Sequence, residues 1–176
     1  IFEGGELARE LDAVLMAPGT PFWGSALFAQ KGKVLFAKGY GLQDHQRVAM
    51  GPHSIVDIGG LARIFTVAVA LQLQAQAKWT LDDGVGRALG AVPKDKTTVT
   101  LRQLARHTSG LPAEVAFAGG AADARRTAVD AILAATLVDV PGRAMHASPR
   151  NDNLLAAAIE LASGDNFEVA VQKQIG

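Results

Sequence analysis

Residues 55–73 read IVDIGGLARIFTVAVALQL: an apolar lead-in, a Gly-Gly pair, then a run with helical character. A tight turn leading into a buried helix is how a chain seats one reactive side chain at a pocket mouth. A nucleophile there gains from the helix dipole and from unpaired backbone N–H groups. The seat is occupied by Gly60, and one helical turn on stands Arg63. Glycine has nothing to attack with, and a guanidinium stays protonated at any working pH, so it cannot serve as a general base.

Other groups with reactive potential are few. The serines are Ser25, Ser54, Ser109, Ser148 and Ser163, and none has lysine three residues later. Ser148 lies two residues from His146, and these alternate to one side of an extended segment. A Ser–His pair needs hydrogen-bond reach and an orienting group, and a polar loop before a helix is the plainer reading. Ser109 beside His107 is read as part of a turn held by packing and backbone hydrogen bonds. The four histidines (45, 53, 107 and 146) lack the i, i+4 spacing of a helical metal pair and read as surface or capping residues. Asp82-Asp83 lacks the further ligands of a calcium site and reads as a helix N-cap before Val85. Gly59-Gly60 and Gly119-Gly120 belong to no Gly-x-Gly-x-x-Gly after a strand, so nucleotide binding has no support. No cofactor is expected.

The elements that must position these groups follow from periodicity. Glu6–Met16 is predicted helical and stopped by Pro18-Gly19. Gly24–Gln30 and Lys33–Lys38 flank Lys31-Gly32 and read as a β-hairpin. Tyr40, the one tyrosine, sits between Gly39 and Gly41. Leu61–Ala77 is apolar on most faces for two turns and is predicted to be buried within the domain. Thr100 is placed to cap a short helix over Leu101 and Leu104, and 108–112 (TSGLP) is a turn. Asp123–Val138, Asn151–Ala162 and Asn166–Ile175 follow as helices. Trp23 and Trp79 read as packing residues.

Composition bounds the rest. The chain has 176 residues, half of them apolar, enough for one domain with a real core. Lys+Arg and Asp+Glu are 17 each, so no electrostatic argument favours nucleic acid or an anionic membrane. No apolar run approaches the roughly 20 residues of a membrane span. Cysteine is absent, which removes disulfides, a thiol nucleophile and thiolate metal sites. No signal peptide is visible, but the sequence begins at Ile1, so a trimmed leader stays open.

Four stretches in order carry a resemblance: KGKVLFAKGYGLQD (31–44), IVDIGGLARIFTVAVALQLQAQAKWTLDDGV (55–85), TVTLRQLARHTSGLP (98–112) and PGRAMHASPRNDNLLAAAIELASGDNF (141–167). Together they resemble the N-terminal half of the serine β-lactamase/penicillin-binding-protein family, in its class C β-lactamase and D-alanyl-D-alanine carboxypeptidase branch. The resemblance implies an α+β fold, a helical cluster packed on an antiparallel sheet, with residues 1–176 the N-terminal portion of a single domain. It implies that the chain is a fragment, or that a further segment or another chain completes the sheet and covers the hairpin edge. It also suggests a periplasmic or secreted setting.

The family's chemistry uses Ser-x-x-Lys, Tyr-x-Asn and a Lys-Thr-Gly strand. Carried over by position, the serine falls at Gly60, the lysine at Arg63, the tyrosine at Ala147 and the asparagine at Pro149. The Lys-Thr-Gly strand would lie beyond Gly176. Deleting a hydrolase's nucleophile or base costs about 10⁶ in kcat, roughly 8 kcal/mol of barrier. The expectation is therefore a family member that has lost serine acyl transfer and keeps a ligand-binding or scaffold role. Such a pseudoenzyme would hold a small molecule or peptide in the former groove. The alternatives are a hydrolase with a rewired nucleophile (Ser148 with His146) and a structural partner subunit. Arg63 should have a carboxylate partner plugging the pocket, bind a carboxylate or phosphate ligand, or lie open to solvent.

Overall fold

The computed structural model describes residues 5–19, 22–43, 47–116 and 124–176. Histidine 45 and the glycine pair at 119–120 fall outside them. The chain divides into two compact units, Ile1–Asp57 and Ile58–Gly176.

The first unit pairs one helix with one hairpin. Helix α1 (Glu6–Leu15) is amphipathic and buries Ala8. Strands β1 (Gly24–Gln30) and β2 (Lys33–Tyr40) run antiparallel, with an irregularity in register between Phe28 and Ala29. The second strand continues two residues past the predicted Lys38, because Ser25 and Gly24 still pair with Gly39 and Tyr40. Ala8, Phe36 and Tyr40 form the small core, flanked by Leu15 and Ala26. Asp12 on α1 ties the layers together: it accepts from Lys38 Nζ at 2.7 and 2.8 Å and from the Tyr40 hydroxyl at 2.6 Å. The Lys38 and Tyr40 hydrogen bonds hold its carboxyl below the usual range. Burial and the bond to Asp12 push the Tyr40 phenol up. Trp23 is largely exposed, but its indole donates to Leu42 O at 2.8 Å and lies against Gly41. At Gly41, φ is +78° and a Cβ would stand 2.6 Å from the indole nitrogen, so glycine is required on both counts.

The second unit is helical. A 3₁₀ turn, Gly59–Leu61, leads into α2 (Ala62–Ala75), followed by α3 (Val85–Leu89), α4 (Leu101–Ala105), α5 (Ala124–Ala134), α6 (Pro149–Ser163) and α7 (Phe167–Ile175). One core joins Val69 and Leu73 of α2 to Leu101 and Leu104 of α4, Ile132 of α5 and Leu154, Leu155 and Ile159 of α6. Trp79 closes the C-terminal end of α2 by donating to Ala70 O at 3.0 Å. Thr100 and Gln103 complete a reciprocal capping box at the start of α4.

Three expectations are corrected. Helix α2 is not enclosed: Thr66, Val69, Ala70 and Leu73 are buried, while Ile64, Phe65 and Leu71 are exposed, as is Leu61 in the turn before it. Its partners here are α6 and α7, which cover one face only. Helix α5 stops at Ala134 rather than Val138. The residues beyond it are drawn into tertiary bonds, Val138 N to Gly110 O at 2.8 Å and Gly142 N to Thr108 O at 2.7 Å. Asp82 and Asp83 do not cap α3, whose N-cap is Gly84 without a side-chain bond. Asp82 instead pairs with Arg102 at 2.7 and 2.8 Å, and Asp83 accepts from Thr80 N and pairs with Arg87. No helix among the described residues is long and apolar enough to cross a membrane.

Candidate functional site

Gly60 sits exposed in the 3₁₀ turn ahead of α2, and a Cβ built on it meets no atom within 4 Å. The position thus has room for a side chain and lacks one. Arg63 enters the first turn of α2. Its Nη2 donates to Ala105 O, at the C-terminal end of α4, where exposed carbonyls favour a cation. Its Nε lies 3.7 Å from Asp152 Oδ1, and the two side chains are 31 % and 27 % exposed. The carboxylate partner expected of a half-buried guanidinium is present.

Asp152 comes from the first turn of α6 and serves two neighbours. Its Oδ2 stands 3.4 Å from His107 Nε2. Burial pushes the Asp152 carboxyl up, against the pull of His107 and Arg63. Burial and then the Arg63 charge push the His107 imidazole down, with Asp152 opposing. The tautomer follows from the other ring nitrogen. His107 Nδ1 accepts the Ser148 backbone N–H at 2.9 Å, so the proton of the neutral ring belongs on Nε2, facing Asp152. Read as a surface or capping histidine, His107 is in fact buried, 6 % exposed, and its Nδ1 accepts from the N-cap residue of α6; its φ is +56°, a left-handed conformation uncommon outside glycine. Two tertiary bonds hold it there, since its carbonyl also accepts from His146 N at 2.8 Å.

The segment 146–151 is thereby fixed. Ser148 is 1 % exposed, donates from Oγ to Pro112 O at 2.7 Å and accepts from Arg150 N, which makes it the N-cap of α6. Pro149 occupies the first helical position, where its missing N–H costs nothing. Ala147 is exposed beside it. His146 turns to Asp139, 2.8 Å from Nε2, and Asp139 also accepts from Val140 N and Arg143. Ser148 and His146 each have their hydrogen bond elsewhere. Ser109 is fully buried, donates to Asn151 Oδ1 at 2.5 Å and accepts from Leu111 N at 3.1 Å, in keeping with a turn held by packing. Asp152 was missed in sequence, and His107 was read as a turn neighbour of Ser109 and not as the partner of Asp152. The one available clue was an acidic residue in the first turn of the helix after Ser148, and nothing in spacing ties it to Arg63, 89 positions upstream.

The elements and their order are those of the β-lactamase/transpeptidase-like fold. A family model described as Beta-lactamase matches residues 21–176, and the chain belongs to that family. Among curated relatives, Protein flp of Staphylococcus aureus (strain MW2) is 29 % identical over 154 residues, covering 81 % of this chain and 30 % of flp. Among solved structures, FmtA from Staphylococcus aureus superposes with a TM-score of 0.80 at 25 % identity, covering 96 % of this chain and 47 % of that one. The octameric penicillin-binding protein homologue from Pyrococcus abyssi shares the fold, with a TM-score of 0.68 at 24 % identity over 86 % of this chain and 37 % of its own. The chain thus spans less than a third of flp and about half of FmtA.

Proposed function

We propose that this chain is a β-lactamase-family protein that has lost serine acyl transfer and keeps its helical scaffold for ligand binding or assembly. The observation that supports the reading is the pair of positions Gly60 and Arg63. One has space and no nucleophile; the other carries a guanidinium engaged by Ala105 O and Asp152. A group fixed in charge by its chemistry, and tied down by its partners, cannot take a proton from anything. Arg63 acts here as an ion-pair plug at the end of α2 rather than as a free anion receptor. Residues 1–176 are read as the N-terminal portion of one family domain, its sheet completed by a further segment or by another chain. The partial coverage of the relatives is consistent with that.

A rewired hydrolase is the competing reading, and the burial and capping role of Ser148 weigh against it. Intact-mass spectrometry after incubation with a penicillin and, separately, a fluorophosphonate decides between them. The expected result is no adduct on folded protein with either probe. A stoichiometric mass increase on either would overturn the proposal, and peptide mapping would name the nucleophile.

A further inference from the structure

The turn after α4 (107–112) and the segment running into α6 (138–151) are stitched together by hydrogen bonds. Val138 N donates to Gly110 O at 2.8 Å, Gly142 N to Thr108 O at 2.7 Å and His146 N to His107 O at 2.8 Å. Ser148 Oγ donates to Pro112 O at 2.7 Å, and Ser109 Oγ to Asn151 Oδ1 at 2.5 Å. Carbonyls, hydroxyls and amides keep these roles in acid and at neutral pH alike. One bond in the seam differs: Ser148 N donates at 2.9 Å to the imidazole Nδ1 of His107. An imidazole nitrogen accepts only while it is unprotonated.

His107 and Ser148 are both buried, so losing this bond leaves a backbone N–H without a partner. Two charged groups act on the ring, Arg63 from the first turn of α2 and Asp152 from the first turn of α6. Asp152 favours the imidazolium; burial and Arg63 oppose it more strongly. A ring protonated from solvent keeps its N–H on Nε2, toward Asp152, and gains a second on Nδ1, toward the Ser148 N–H. Two donors then confront each other, and the ring and the Ser148 backbone must part. Helix α6 itself is anchored further along by Leu154, Leu155 and Ile159 in the core, so the stretch before the helix is the part free to yield.

We propose that His107 is an acid-operated latch: protonation at Nδ1 releases residues 146–148 from the 107–112 turn while α4 and α6 stay folded. The released stretch carries Ala147 and the cap of α6. The latch acts whether or not acyl transfer has been lost, so its failure and that of the pseudoenzyme reading are separable.

The test is amide hydrogen exchange, read by NMR on the intact protein at about pH 7.5 and about pH 4.5 and corrected for the intrinsic exchange rate at each. In acid, the Ser148 and His146 N–H groups should lose at least about tenfold more protection than those of Val138 and Gly142. In His107→Asn the side-chain Oδ1 offers an acceptor that does not titrate, and asparagine tolerates the left-handed φ of +56°. That variant should hold the Ser148 N–H equally at both pH values. No acid-dependent loss at Ser148, an equal loss at Val138 and Gly142, or a loss that persists in His107→Asn would each overturn the proposal.

Discussion

His107 and Asp152 face each other at 3.4 Å, the ring from the turn after α4 and the carboxylate from the first turn of α6. The same ring accepts the Ser148 N–H through its other nitrogen. Protonation would place a second N–H against that backbone donor, so the fold selects the neutral ring, in agreement with the downward push from burial and Arg63.

The sign of the resulting pH dependence follows. A histidine whose folded pKa is depressed contributes stability that is complete above its unfolded value, about 6.5, and is lost as pH falls from there through the lowered folded value. Asp152 runs the other way: its raised pKa costs stability at neutral pH, and the cost is relieved as pH falls through the raised value toward about 4. Melting temperature should therefore begin to fall just below pH 6.5 and flatten lower down. His107→Gln should remove the first slope. An identical slope in that variant would show that another group titrates.

Arg63 and Asp152 should be coupled. Asp152→Asn leaves a half-buried guanidinium with only the Ala105 carbonyl, at a cost of about 1–2 kcal/mol, moderated by solvent. Removing both charges in Arg63→Met/Asp152→Asn should cost less than the sum of the two single changes, because no orphan charge remains. Urea denaturation of the four proteins measures the coupling, and additivity within about 0.3 kcal/mol would contradict it.

Gly60→Ser should fold normally, since a Cβ there meets nothing. It should nevertheless gain no penicillin adduct, because Arg63 cannot accept the hydroxyl proton. Acylation of that single variant would mean that another base is within reach.

Gly110→Ala should be among the most damaging changes. The residue has φ +77°, and an added Cβ would stand 2.2 Å from Asp139 O. Backbone strain and the steric clash together predict a loss of at least about 3 kcal/mol. Thermal unfolding would show it directly.

Ser148→Ala separates a cap from a catalyst. Loss of the α6 cap and of the bond to Pro112 O predicts destabilisation of about 1–2 kcal/mol. A variant of unchanged stability that lost reactivity toward a fluorophosphonate would favour the rewired hydrolase.

Local pattern made much of the fold readable. The Lys31-Gly32 turn between alternating strands gave the hairpin, and Thr100 gave the start of α4. What escaped depended on contacts between distant segments. The end of α5 was set by Gly110 and Thr108 accepting bonds from residues 138 and 142, and no local propensity encodes that. The buried setting of His107 rests on Ser148 and Asp152, some 40 residues on. At the site, chemical identity alone showed that Gly60 and Arg63 could not perform the family reaction. The partner of Arg63 required the helix ends to be brought together in space.

The open space above Gly60 also makes the molecule addressable. The chain has no cysteine, so Gly60→Cys would create its one thiol, exposed just ahead of a fourteen-residue helix. Thiols at helix N-termini ionise more readily than free cysteine. A maleimide dye would therefore attach at that point alone, turning the vacant nucleophile seat into a reporter of whatever approaches the end of α2.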